Sequence, residues 1–217
     1  MYIYTQNRCS EIRQLLKDIL YYDNGLYMHC LRVCRYAILI GVNVGLGKDD
    51  LKQLWQAALL HDYGKTMVDI KILNKPGVLT SVERSIVEKH VVFGVDYLQR
   101  NTNLETKAIT AILEHHERLD GTGYPFNETS ISVLGRILSI ADVYDALTSI
   151  RSYKCAFSHE QAIRMIKEEN GFDKEILQSF EETYNEVLFC AIRHTVGFDS
   201  IYFIYRSICV GIEQSAG

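Results

Sequence analysis

The segment DDLKQLWQAALLHDYGK (residues 49–65) decides the architecture. Leu54, Ala57, Ala58 and Leu59 recur at helical spacing. The segment therefore reads as a helix that begins near Asp49 or Asp50 and delivers His61 and Asp62 near its end. Neighbours on a regular helix point about 100° apart. Two adjacent ligating side chains therefore converge on one site only near a helix end, or by flanking two metal ions. Gly64, just after the pair, permits such an ending.

Outward from this segment the pattern stays helical. Ile12, Leu15, Leu16, Ile19 and Leu20 form an amphipathic stripe. A helix from about Leu26 to Val44 carries His29 and stops at Gly45-Leu46-Gly47. Asn74-Lys75-Pro76-Gly77 is a turn, after which Thr80 and Glu83 form a capping box opening a helix that carries His90. A helix from about Thr106 ends with His115-His116, and Gly121 to Pro125 form a loop. A long helix from about Val133 to Ser149 carries Asp142. Ser158 and Gln161 cap a helix ending near Gly171, with His159 expected to be exposed in its first turn, and Asp173 caps the next. The expected fold class is all-α, a helical bundle.

Composition narrows the function. The chain has 217 residues, 47% of them hydrophobic, enough for a sizeable core. A formal charge of −4 gives no basic footprint for long nucleic acids but leaves room for a small anionic ligand. None of the six cysteines forms a C-x-x-C pair, so reduced thiols in a cytoplasmic protein are expected, with Cys30 and Cys34 packed on a helix face. The N-terminus lacks the pattern of a signal peptide. The apolar stretch from Val187 to Ile212 is interrupted by Arg193, His194, Asp199 and Arg206. It reads as buried or dimer-forming helices and not as a membrane span.

Five of the seven histidines belong to one spaced series with two aspartates: His29, His61-Asp62, His90, His115-His116 and Asp142. Successive members are separated by the length of a helix, a loop and a return helix, so they can face one cavity from several helices of a bundle. Imidazole and carboxylate are ligands for zinc, iron or manganese. Seven such groups exceed the needs of one ion, so the series points to a two-metal site, and two metals point to hydrolysis of a phosphate ester.

The residues HDYGK (61–65), KPGVLT (75–80), His90, HHERLDGTGYP (115–125), IADVYDALTS (140–149) and RSYK (151–154) together resemble the HD-GYP family. This is a branch of the HD-domain metal-dependent phosphohydrolases. The resemblance implies an HD-domain-like helical bundle with a buried two-metal site over residues 24–185. Residues 1–23 would form an N-terminal helix and 186–217 a C-terminal helical appendage. It implies hydrolysis of cyclic di-GMP to pGpG by a metal-bridging hydroxide, with onward hydrolysis to GMP left open. By the same resemblance His29, His61 and Asp142 hold one ion, His90, His115 and His116 hold the other, and Asp62 bridges them. The ions implied are iron or manganese, with zinc as a further candidate. Lys65 would interact with the scissile phosphate, Tyr124 with a guanine base, and Arg151 and Lys154 with the phosphates. Gly121, Gly123 and Pro125 would shape the loop that presents Tyr124.

Taken singly, these residues have plainer readings: Lys65 as a helix C-terminal cation, Tyr124 as a loop anchor, Arg151 and Lys154 as a solvated turn. The chain also departs from the family pattern. Gly25 stands where some members place a glutamate that binds a third metal, so two ions are expected. Residues 126–132 are shorter than usual and lack typical basic and proline residues, which opens a mixed guanine–adenine cyclic dinucleotide as an alternative substrate. A non-catalytic nucleotide sensor is a further alternative. About 22 residues precede the matched region in this sequence, and one helix is expected there.

Overall fold

The structure is a computed structural model that describes residues 2–149 and 156–182. These residues form α1 (Tyr2–Tyr22), α2 (Asn24–Asn43), α3 (Lys48–Leu60), a 3-10 turn (Tyr63–Met67), α4 (Ile70–Leu73), α5 (Ser81–Glu88), α6 (His90–Asn101), α7 (Thr106–Glu114), α8 (Val133–Thr148), α9 (His159–Glu168) and α10 (Lys174–Glu182). The described residues are all-α, as the hydrophobic periodicity predicts.

α2 is the central helix. It packs mainly on α3 and α8, with α1 and α10 also against it. Leu31, Val33 and Ile40 of α2 meet Leu54 and Leu59 of α3 and Ile137 and Ile140 of α8 in one core, all with no exposed surface. α2 is long and apolar enough to cross a membrane, yet 67% of its apolar window is buried inside the bundle, which makes it a core helix. Cys30 and Cys34 are free thiols within this core.

Local signals set the helix starts. Asp23 accepts from Leu26 N at 2.6 Å and caps α2. Thr80 and Glu83 form a reciprocal capping box on α5, and Ser158 and Gln161 do the same on α9. Asp173 accepts from Glu175 N and Ile176 N at 3.0 Å, at the start of α10. α9 ends at Glu168, earlier than the expected stop near Gly171.

Two expectations are corrected. The helix opened by Thr80 does not run through His90. α5 ends at Glu88, and α6 begins at His90. The reason is a close approach of backbones. A Cβ on Gly64 would lie 1.9 Å from the His90 carbonyl oxygen and 2.6 Å from Gly94 N. The turn after Asp62 thus lies directly on the first turn of α6, and two glycines make the contact fit. His159 is buried, not exposed. Its Nδ1 lies 3.0 Å from the Tyr144 hydroxyl, and its ring meets Tyr144 and Phe180 edge-on. A capping box shows where α9 starts but not that α8 and α10 cover its first turn.

Gly64→Ala is expected to destabilise the protein by about 1–3 kcal/mol or more, because the new methyl group has no void to enter. Urea unfolding of the two proteins measures this, and equal midpoints would show that the approach of the turn to α6 is not tight.

Candidate metal centre

Each central histidine sits at or just after a helix end. His61 is the C-cap of α3, His115 the C-cap of α7, and His90 follows α5 by two residues. The last carbonyls of a helix lack intrahelical donors. Here the histidines supply them. His61 Nδ1 donates to Ala58 O at 2.9 Å, His90 Nδ1 to Val87 O at 2.7 Å and His115 Nδ1 to Ile112 O at 2.6 Å. A carbonyl only accepts, so Nδ1 carries the proton and each Nε2 keeps its lone pair.

Those lone pairs face Asp62, which has no exposed surface. Asp62 Oδ2 lies 3.4 Å from both His29 Nε2 and His61 Nε2. Asp62 Oδ1 lies 3.1 Å from His90 Nε2 and 3.9 Å from His115 Nε2. One carboxylate oxygen thus serves each side. Asp142 adds Oδ1 at 3.1 Å from His29 and 3.9 Å from His61, and Oδ2 at 3.8 Å from His116 Nδ1. Ligand atoms of Asp62, His90, His115 and His116 lie within 4.8 Å of one another, as do those of His29, His61 and Asp62, and those of His61, His115 and Asp142.

Divalent cations fit this donor set. The Nε2 atoms of His61, His90 and His115 and Oδ1 of Asp62 are buried without a hydrogen-bond partner. Buried acceptors left in that state are costly, and a shared cation satisfies them together. The electrostatics of four of these groups agree. Burial, then the neighbouring His61 and His90, push His115 down to about 3. Burial and His115 hold His116 well below its ordinary value. Both are neutral at pH 7. Burial opposes ionisation of Asp62 and Asp142, but the Lys65 charge outweighs it at Asp62, and the hydrogen bond from His29 outweighs it at Asp142, so both stay ionised. Burial lowers His29, but Asp142, Asp145 and Asp62 together raise it well above its ordinary value.

All seven residues of the sequence series come together. Lys65 Nζ lies 2.5 Å from Asp62 Oδ2, and its partly exposed side chain carries positive charge to the rim. Tyr124 is half-buried, not the exposed loop residue that base stacking suggests, because its ring stacks on His116. Gly121 has a φ of +74°, which favours glycine, and Gly123 presses on the His116–Glu117 backbone, where a Cβ would come within 2.5 Å. Pro125 follows a cis peptide bond. Arg151 and Lys154 lie outside the described residues, as do His194 and the C-terminal segment expected to form a dimer.

Four supporting residues were not singled out from sequence. Asp145 accepts from His29 Nδ1 at 2.8 Å and from Arg32 Nε at 2.7 Å. Glu117 accepts from Phe126 N at 2.7 Å and Glu128 N at 3.0 Å, which fastens the 121–128 loop. Arg118 donates to Glu117 O and Ser139 Oγ at 2.8 Å and lies 4.4 Å over the Phe172 ring. Helical spacing offered a signal for Asp145 and Arg32, each three residues from a series member on the same face: Asp142 and His29.

A family model described as HD domain matches residues 14–176. The chain is 40% identical over 161 residues to the cyclic di-GMP phosphodiesterase PA4108 of Pseudomonas aeruginosa, covering 73% of this chain and 39% of that protein. It is 36% identical over 170 residues to the 3'3'-cGAMP-specific phosphodiesterase 2 of Vibrio cholerae, covering 76% of this chain and 32% of that one. The chain thus spans less than half the length of these relatives. Among solved structures, a cyclic GMP-AMP specific phosphodiesterase of V. cholerae, V-cGAP3, shares the fold with a TM-score of 0.66 at 17% identity, over 93% of this chain and 53% of that one.

Asp145→Ala would leave His29 Nδ1 and the Arg32 guanidinium without their shared carboxylate. Loss of such an orienting partner typically lowers metal affinity by roughly 10–100-fold. Manganese titration against a competing chelator is expected to show that loss, and an unchanged affinity would remove Asp145 from the site.

Proposed function

We propose that this chain, which belongs to the HD domain family, is a metal-dependent cyclic dinucleotide phosphodiesterase that hydrolyses cyclic di-GMP to pGpG. The observation that carries this reading is Asp62, a buried carboxylate with one oxygen toward His29 and His61 and the other toward His90 and His115. That arrangement supports two ions, with His29, His61 and Asp142 on one side, His90, His115 and His116 on the other, and Asp62 between. Iron or manganese is proposed, and zinc suits the same ligands. Divalent ions there supply Lewis acidity toward a phosphoryl oxygen and make hydroxide available near neutral pH.

The chain's own groups do the rest. Lys65, whose protonated form Asp62 and Asp142 favour against partial desolvation, offsets charge that builds on the phosphoryl oxygens. Burial, then the charges of Asp62 and Asp142, push the Tyr124 phenol upward, so its hydroxyl stays a hydrogen-bond donor toward a base. Gly121, Gly123 and Pro125 hold the loop in place for that contact. Arg151 and Lys154 are proposed as phosphate contacts on sequence grounds. A second reading, hydrolysis of a mixed guanine–adenine cyclic dinucleotide, is favoured by the relatives named as 3'3'-cGAMP-specific. It is also favoured by the short 126–132 connection, which Glu117 and Glu114 tie down.

Anaerobically purified protein is expected to carry about two iron or manganese ions per chain and to release pGpG from cyclic di-GMP. Asp62→Ala should abolish turnover and deplete metal. Near-normal turnover by that variant would sink the mechanism, tight binding of nucleotide by the wild type without turnover would indicate a sensor, and a parallel assay with 3'3'-cGAMP decides the substrate.

A further inference from the structure

Five histidines face the centre, and four of them have a hydrogen bond that fixes the ring. His61, His90 and His115 use backbone carbonyls, and His29 uses Asp145. Among the described residues His116 has no hydrogen bond to its ring, and its nearest carboxylate oxygen, on Asp142, is 3.8 Å away. Its side chain also keeps 15% exposure, whereas those of His61, His90 and His115 have none. What holds it is aromatic. The His115 ring lies 3.9 Å away between centroids, the His90 ring meets it edge-on at 5.2 Å, and the Tyr124 ring stacks on it with centroids 4.5 Å apart and planes inclined by 28°. Among these contacts only the one with Tyr124 is stacked.

Tyr124 is itself fixed from both sides. Its backbone N donates to His116 O at 3.1 Å, so the loop returns to the residue that its ring covers. Gly123, just before it, is in backbone contact with His116 and Glu117. Phe126, two residues after it, donates to the buried Glu117 carboxylate. Asn127 ties back to Gly123 O. The loop is thus a clasp folded onto the turn that carries His115 and His116.

We infer that Tyr124 is a positioning residue for His116, its ring stack taking the place of the orienting hydrogen bond that the other four histidines have. The inference rests on the two-ion reading above and deepens it. Tyr124 then acts on the centre through His116 in addition to any contact with a base. A histidine ring free to turn loses the geometry that a bound ion needs, and removal of orienting partners costs roughly 10–100-fold in metal affinity.

The test uses the full chain, stripped of metal and titrated with Mn²⁺ by calorimetry, with electron paramagnetic resonance reporting coupling between two ions. Tyr124→Phe keeps the ring and is expected to bind two equivalents as the wild type does. Tyr124→Ala and Tyr124→Leu are expected to weaken one equivalent by roughly 10–100-fold and leave the other unchanged, with loss of the coupled signal. The leucine variant keeps apolar bulk and serves if the alanine variant does not fold. Two equivalents at wild-type affinity in the alanine or leucine variant, with only KM for nucleotide raised, would overturn the inference and leave Tyr124 a base contact. Fewer than two equivalents in the wild type would instead overturn the two-ion reading itself.

Discussion

The structure depends on one repeated interaction, a histidine Nδ1–H donating to a last-turn carbonyl of the helix before it. His61, His90 and His115 each make it, to Ala58, Val87 and Ile112. One hydrogen bond does two things. It satisfies a carbonyl that the helix leaves without a donor, and it turns an unprotonated nitrogen toward Asp62. The helix ends of α3, α5 and α7 are therefore the places from which the histidine side chains face Asp62.

Keeping Asp62 and Asp142 ionised in a buried centre is costly. Lys65 beside Asp62 offsets part of that cost, and His29 lies between Asp62, Asp142 and Asp145. Arg32 closes the outer edge through Asp145. This network also explains two glycines. Gly64 lets the turn carrying Lys65 lie against α6, and Gly123 lets the 121–128 loop lie against the His115–His116 turn. A side chain at either position would push the Lys65 turn or the Tyr124 loop out of place.

Much of this was legible in the residues. The pairs His61-Asp62 and His115-His116 could converge near a helix end or by flanking two ions, and both lie at helix ends. The capping boxes at Thr80 and Ser158 marked helix starts that the structure retains. The α5–α6 break was not legible, because it answers to a backbone contact with Gly64, far away in sequence. The burial of His159 was missed for the same reason, since Tyr144 and Phe180 cover it from other helices. Asp145 and Glu117 lay inside quoted motifs but looked like ordinary polar residues until their partners were in place.

The sequence by itself determined the all-helical frame and the residues that chemistry would use. Helical periodicity, capping and ligand type are local properties carried by neighbouring residues. Only the tertiary structure decided which oxygen of Asp62 faces which histidines, that Asp145 orients His29, and that Tyr124 lies on His116. Those relations are distances of a few ångströms between groups on different helices and loops. Packing of α2, α3, α7 and α8 sets them, and no local pattern encodes packing at that precision.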